Sequence, residues 1–160
     1  MRIMALDVGT KRIGVALTDP TGTIAQPLTV LERKGMGGDV ARIFQLVRDN
    51  EVRVLVFGIP YNDDGQPTEL AKKIFELKEK VTGLLKQKNL DDVKIETWDE
   101  TMTTNDAHQR LKDAGVKHSE RKDKIDMIAA LVILESWMEG GANPPLPPFS
   151  KGGTGGIFNK

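Results

Sequence analysis

Over residues 1–31 the hydrophobic positions recur with a period of two. Met1 to Leu6 mixes apolar residues into a short strand pattern, which Asp7-Val8-Gly9-Thr10 breaks. Ile13, Val15 and Leu17 alternate with Gly14, Ala16 and Thr18, a strand with one large and one small face. Asp19-Pro20-Thr21-Gly22 is turn chemistry. Ile24 to Leu31 reads as a third strand, in which Pro27 predicts an edge position or a bulge. Short loops between the three favour an antiparallel meander.

The period then changes. Val40, Ile43, Phe44 and Val47 predict an amphipathic helix from about residue 38 to 50. Val52 to Phe57 is nearly all apolar and β-branched, as expected of a parallel strand covered on both faces, and Gly58-Ile59-Pro60 is expected to end it. Leu70, Ile74, Leu77, Val81 and Leu84 form one stripe of a long surface helix over residues 67–88. Val93, Ile95 and Thr97 alternate with Lys94, Glu96 and Trp98 in a fifth strand that ends at Asp99-Glu100. Two further helices are predicted over 104–113 and 119–139, the second starting at Ser119 as N-cap. The order βββ-α-β-α-β-α-α, with helix crossovers, predicts an α/β fold. Its mixed five-stranded sheet would have three antiparallel strands, then two parallel ones, and helices on both faces. One domain over 1–139 is expected. Gly140 to Lys160, with Pro144, Pro145, Pro147, Pro148 and six glycines, reads as a largely disordered tail.

Composition narrows the chemistry. The 160 residues contain no cysteine, which excludes a disulfide framework, thiolate metal sites and a cysteine nucleophile. Two histidines, His108 and His118, argue against a multi-histidine zinc site. No apolar run approaches the roughly 18–20 residues of a membrane span, and no signal-peptide pattern opens the chain, so it reads as cytoplasmic and membrane-free. Lys+Arg and Asp+Glu balance at 23 each, so a polyanionic partner has to be met by local patches or through metal ions.

Three acidic elements then draw attention. Asp7 ends the first strand on the face of Ile3 and Ala5, although a turn aspartate would serve equally in Asp7-Val8-Gly9-Thr10. Asp126 precedes eight apolar residues, Met127 to Leu134, and shares a helical face with Ala129, Ala130, Ile133 and Trp137. The plainer reading of Asp126 is a macrodipole acid, or one paired with Lys122. Asp99-Glu100 follows the fifth strand; which carboxylate faces Asp7 depends on whether the strand continues through residue 100. Carboxylates gathered at strand ends repel one another and need a cation. Hard oxygen donors without histidine or cysteine suit Mg2+ or Mn2+. A pair of such ions about 3.5–4 Å apart supports phosphodiester cleavage without a side-chain nucleophile. Lys117, His118, Arg121, Lys122 and Lys124 cluster before Asp126, and Lys11 and Arg12 follow Asp7. Such charge runs are commonly a solvated face, but their neighbours here are the candidate ligands.

These segments together resemble the YqgF/RuvX family, which has an RNase H-like fold. Asp7-Val8-Gly9-Thr10-Lys11-Arg12-Ile13-Gly14-Val15-Ala16 is similar to its first motif, and Phe57 to Gly65 to its strand-four motif. Asp99-Glu100-Thr101-Met102-Thr103-Thr104 is similar to its acidic motif, and Lys124 to Ala130 to its helix motif. The resemblance covers about residues 1–139. It implies a nuclease that matures the precursor of small-subunit ribosomal RNA, on or off the ribosome. A Holliday-junction resolvase acting on branched DNA is the alternative the family also carries. By the motif match Asp7, Glu100 and Asp126 are the expected catalytic and metal-binding acids. Asp99 or Asp123 is expected as an auxiliary, Asp123 because it lies at i−3 from Asp126 and can face the same way. Lys11, Arg12, Arg121 and Lys124 are expected to meet phosphates. The family usually has arginine after the Asp-Glu pair, where this chain has Thr101. Glu100, one strand beyond the fourth, must reach inward across a spacing of about 4.8 Å. Two rival readings stand beside the nuclease. One is an ATP-binding module built on Asp7-Val8-Gly9-Thr10, needing a dimer to complete its site. The other is a non-catalytic binding module of the same fold.

Overall fold

The computed structural model describes residues 1–100, 109, 113–115 and 124–141. Five strands form one sheet: β1 (Arg2–Val8), β2 (Arg12–Thr18), β3 (Ala25–Glu32), β4 (Val52–Ile59) and β5 (Lys94–Asp99), in the order β3-β2-β1-β4-β5. β1–β2 and β2–β3 are antiparallel, β1–β4 and β4–β5 parallel, as the element order predicts. The three helices are α1 (Met36–Asp49), α2 (Glu69–Gln87) and α3 (Ile125–Ser136), the last continuing into a wide π-helical turn, Trp137–Gly141. Among the described residues no helix is long and apolar enough to cross a membrane.

Strand alternation sends Met4, Leu6, Val8, Ile13, Val15, Leu55, Phe57 and Ile59 to one face. There they pack under α1 and α2 through Ile43, Val47, Ile74, Leu77 and Val81. The other face carries Ile3, Ala5, Ala16, Val54 and Val56, and receives α3 through Ala130, Ile133, Leu134 and Trp137. The small residues on this second face have a direct consequence. A Cβ added at Gly14 would lie 1.9 Å from the backbone oxygen of Asp126, and one added at Gly58 would lie 2.5 Å from Ile133 Cδ1. Helix α3 therefore lies directly on the sheet, and both glycines are needed to admit it.

Several boundaries shift from expectation. β4 does not end at Phe57: Gly58 and Ile59 pair with Trp98 and Asp99, because β5 runs alongside that far, and Pro60 stops the strand. β3 is an edge strand whose pairing slips between Val15 and Ala16, where Pro27 sits opposite, as its proline predicts. Helix α3 begins at Ile125 with Lys124 as its cap, so Asp126 is in the first turn and not two turns in. The expected N-cap Ser119, most of the helix over 104–113, and the tail beyond residue 141 lie outside the described residues.

Candidate active site

Asp7 lies at the C-terminal end of the central strand, opposite Gly14 on β2. On its other side Leu6 pairs with Phe57, so the next residue along β4, Gly58, flanks Asp7. The acid is thus bracketed by two residues without side chains. The backbone N–H of Glu100 donates to Ile59 O at 3.1 Å, carrying the ladder one residue past β5. That register decides between the two acids of the pair. Asp99 shares a row with Ile59, whose side chain packs under α1 and α2, whereas Glu100 follows Gly58 and Trp98 on the α3 face.

Glu100 reaches Asp7 by passing Gly58, its Oε1 only 3.0 Å from where a Cβ would stand. The inward reach across one strand is possible because the intervening strand offers no side chain. Asp7 and Glu100 are joined by a side-chain hydrogen bond. Burial raises the Asp7 carboxyl to about 6, helped by the charge of Asp126, while the hydrogen bond from Glu100 opposes the shift. Burial raises Glu100 to about 8, helped by the charges of Asp7 and Asp99 and by its hydrogen bond to Asp7. The two titrate as a pair sharing a proton. Glu100 Oε1 is buried, and no N–H or O–H donor of the described residues reaches it.

Asp126 approaches this pair from α3. Its charge acts on Asp7, but its Oδ2 accepts from Arg12 Nε at 2.8 Å, an ion pair about three-quarters buried on the acid's side. The structure therefore brings Asp7 and Glu100 together and holds Asp126 beside them on Arg12. Among the described residues no three acidic or histidine side chains form a ready-made metal cage. The donor set nonetheless fits a hard dication. Two carboxyl groups face each other in a half-buried site, and one buried oxygen, Glu100 Oε1, meets no donor among the described residues.

The remaining candidates separate. Asp99 is exposed on the opposite face, where its charge, after burial, raises the Tyr61 hydroxyl; the strand alternation turns it away from Asp7. Arg12, expected to meet phosphate, has its Nε committed to Asp126. Lys11 and Lys124 are exposed beside Asp7 and Asp126 in the chain, as phosphate contacts would be. Arg121, Asp123, Thr101, His108, His118, Lys117 and Lys122 lie outside the described residues. Sequence reasoning missed the roles of Gly14 and Gly58. The small face of β2 was a visible signal for the first, and nothing in the chain marks the second.

A family model described as RuvX, Holliday junction resolvase, matches residues 1–140. A protein from Desulforamulus reducens, named "Putative pre-16S rRNA nuclease", is 40% identical over 142 residues, covering 89% of this chain and 99% of that protein. One of the same name from Syntrophomonas wolfei subsp. wolfei is 35% identical over 142 residues, covering 89% and 96%. Among solved structures, the Thermus thermophilus RuvC structure superposes with a TM-score of 0.56 at 16% identity. It covers 91% of this chain and 100% of that one, a likeness of fold.

Proposed function

The chain belongs to the RuvX family, and from that premise we propose that it is a divalent-metal-dependent nuclease. Its reaction is phosphodiester hydrolysis in structured RNA, the substrate being the 5' end of precursor 16S ribosomal RNA during ribosome biogenesis in the cytoplasm. The observation that carries this reading is the half-buried Asp7–Glu100 carboxyl pair, with Asp126 alongside and a buried Glu100 oxygen that no donor of the described residues satisfies. Uncompensated buried carboxyls are costly in a fold that has no use for them. Relatives 33–40% identical carry the pre-16S rRNA nuclease name, which supports the substrate.

Asp7 and Glu100 would hold the cation, Mg2+ or Mn2+, and Asp126 would complete the ligand set. When bound, such an ion would supply Lewis-acid polarisation of a phosphate oxygen and a lowered pKa for a water nucleophile. The chain's own residues do the rest. The Asp7–Glu100 pair holds a proton between its carboxyls, which burial and the neighbouring acids favour, and would have to give it up to serve as ligands. Arg12 balances the charge of Asp126, and its guanidinium would meet a phosphate oxygen from beside that acid. Lys11 and Lys124, with Arg121, meet the flanking backbone as point charges.

The test is cleavage of a precursor 16S RNA leader by the full chain with Mg2+ or Mn2+, compared with a four-way DNA junction. Site-specific RNA cleavage that is lost in Asp7→Asn and in Glu100→Gln supports the reading. Junction cleavage with no RNA cleavage replaces the substrate, and cleavage by Asp7→Asn at the wild-type rate contradicts the site.

A further inference from the structure

Among the described residues one acid is fully buried, and it lies away from the candidate ligands. Asp39, in the first turn of α1, is fully buried, and buried charges persist only when paired and hydrogen-bonded. Its Oδ2 accepts from Arg33 Nε at 2.7 Å and its Oδ1 from the backbone N–H of Lys34 at 2.9 Å. The guanidinium of Arg33 has a second partner. Its Nη1 donates to Gly9 O at 2.8 Å, in the turn that follows Asp7. The backbone N–H of Arg33 donates to Lys11 O at 2.9 Å, and within the turn Gly9 N–H donates to Arg12 O at 2.8 Å. One residue thus grips the 9–12 turn by side chain and backbone together. The next link is Arg12 itself, bonded to Asp126.

We propose that Arg33, held by Asp39, is a positioning residue for the nuclease reaction. It fixes the turn between β1 and β2 so that Lys11 meets the nucleic-acid backbone and Arg12 meets Asp126 without reorganisation. A planar guanidinium suits the task because its fork spans a carboxylate and a carbonyl at once, which a lysine ammonium on a flexible stem does poorly. Order set in the free protein lowers the cost of ordering the turn when substrate binds. The role in catalysis rests on the proposed nuclease reading; the clamp on the turn does not.

The experiment uses Arg33→Lys in the full chain, which leaves Asp39 a cation and so protects the fold. Amide hydrogen exchange at Gly9 is expected to quicken by about tenfold or more, with the thermal midpoint shifted only slightly. On precursor RNA, KM is expected to rise by about tenfold while kcat changes by less than about threefold. Unchanged exchange at Gly9 overturns the clamp, whether or not the protein cuts RNA. Faster exchange with unchanged KM reduces Arg33 to a structural residue and overturns the positioning role. A wild-type protein that cuts no RNA defeats the nuclease reading and with it the catalytic role, and the exchange result then speaks for the clamp alone. Should Arg33→Lys fail to fold, Arg33→Met/Asp39→Asn removes both charges, keeps an acceptor for Lys34 N–H, and allows the same measurements.

Discussion

Glu100 hydrogen-bonds Asp7 from two strands away, passing over Gly58 on the strand between. The pair is held together by the fold against its own electrostatics, since both carboxyls are raised by burial and by each other or a neighbouring acid. Its energetic signature in the metal-free protein therefore has a definite direction.

Both groups bind protons more tightly folded than unfolded. Their contribution to stability is complete below their ordinary values of 3.8 and 4.5, and is lost as pH rises through about 6 and about 8. Metal-free protein is expected to lose thermal stability between about pH 4 and pH 8 through this pair. Added Mg2+ or Mn2+ should restore it at pH 8 far more than at pH 5, where protons occupy the carboxyls. Scanning calorimetry at the two pH values, with and without the ion, checks this.

Asp7→Asn removes one half of the repelling pair while keeping its shape. The metal-free variant is expected to be more stable than wild type at pH 8, with a midpoint higher by about 2–6 °C, and to gain nothing from added cation. A stabilised but inactive variant is the usual mark of a site held at a cost. Thermal denaturation of the two proteins side by side measures it.

Gly58→Ala puts a methyl group 2.5 Å from Ile133 Cδ1 and 3.0 Å from Glu100 Oε1. Overpacking of this kind costs about 1–3 kcal/mol. Trimming Ile133 to Val in the same chain should recover most of the stability. Cleavage should stay reduced by about tenfold or more, because Glu100 remains displaced from Asp7. Denaturant unfolding and RNA cleavage rates on the single and double variants separate the two effects.

Gly14→Ala is expected to be worse. Its methyl would meet backbone and not the far end of a side chain, 1.9 Å from Asp126 O, so α3 itself must move. A loss of more than about 3 kcal/mol is expected, with cation binding weakened in whatever fraction still folds. Urea titration followed by Mn2+ titration of the folded protein tests both parts.

Arg12→Gln leaves Asp126 without its guanidinium partner. The site then carries one more uncompensated negative charge, so Mn2+ affinity is expected to rise by roughly 3–10-fold while KM for RNA also rises. Calorimetric titration of the ion and steady-state cleavage read the two opposite changes.

Much of this was legible in the chain because period and punctuation are local properties. The alternation of Ile13, Val15 and Leu17 against Gly14 and Ala16, the nearly all-apolar run at Val52–Phe57 and the helical periods between the later strands together gave the mixed sheet. Asp7 and Glu100 were visible as strand-end acids, but the choice of Glu100 over Asp99 came only from the motif resemblance and not from the local pattern. It depends on one backbone bond to Ile59, a long-range register that no local pattern encodes. The start of α3 was misplaced because Ser119 is a good cap by composition, whereas the described helix begins after Lys124. Gly58 reads as a strand breaker in isolation and becomes a strand residue only because β5 pairs with it. Asp39 and Arg33 fall at the edge of a helix pattern, and the bond from Arg33 to Gly9 is tertiary.

The central claim is that the half-buried Asp7–Glu100 pair, with Asp126, holds a hard dication. Anomalous diffraction from crystals soaked in Mn2+ tests it most directly. The account predicts a peak about 2.0–2.3 Å from oxygens of both Asp7 and Glu100, with Asp126 as a third ligand, and no peak in Asp7→Asn. Manganese bound elsewhere on a protein that still cleaves RNA, with the Asp7–Glu100 hydrogen bond intact, would contradict it.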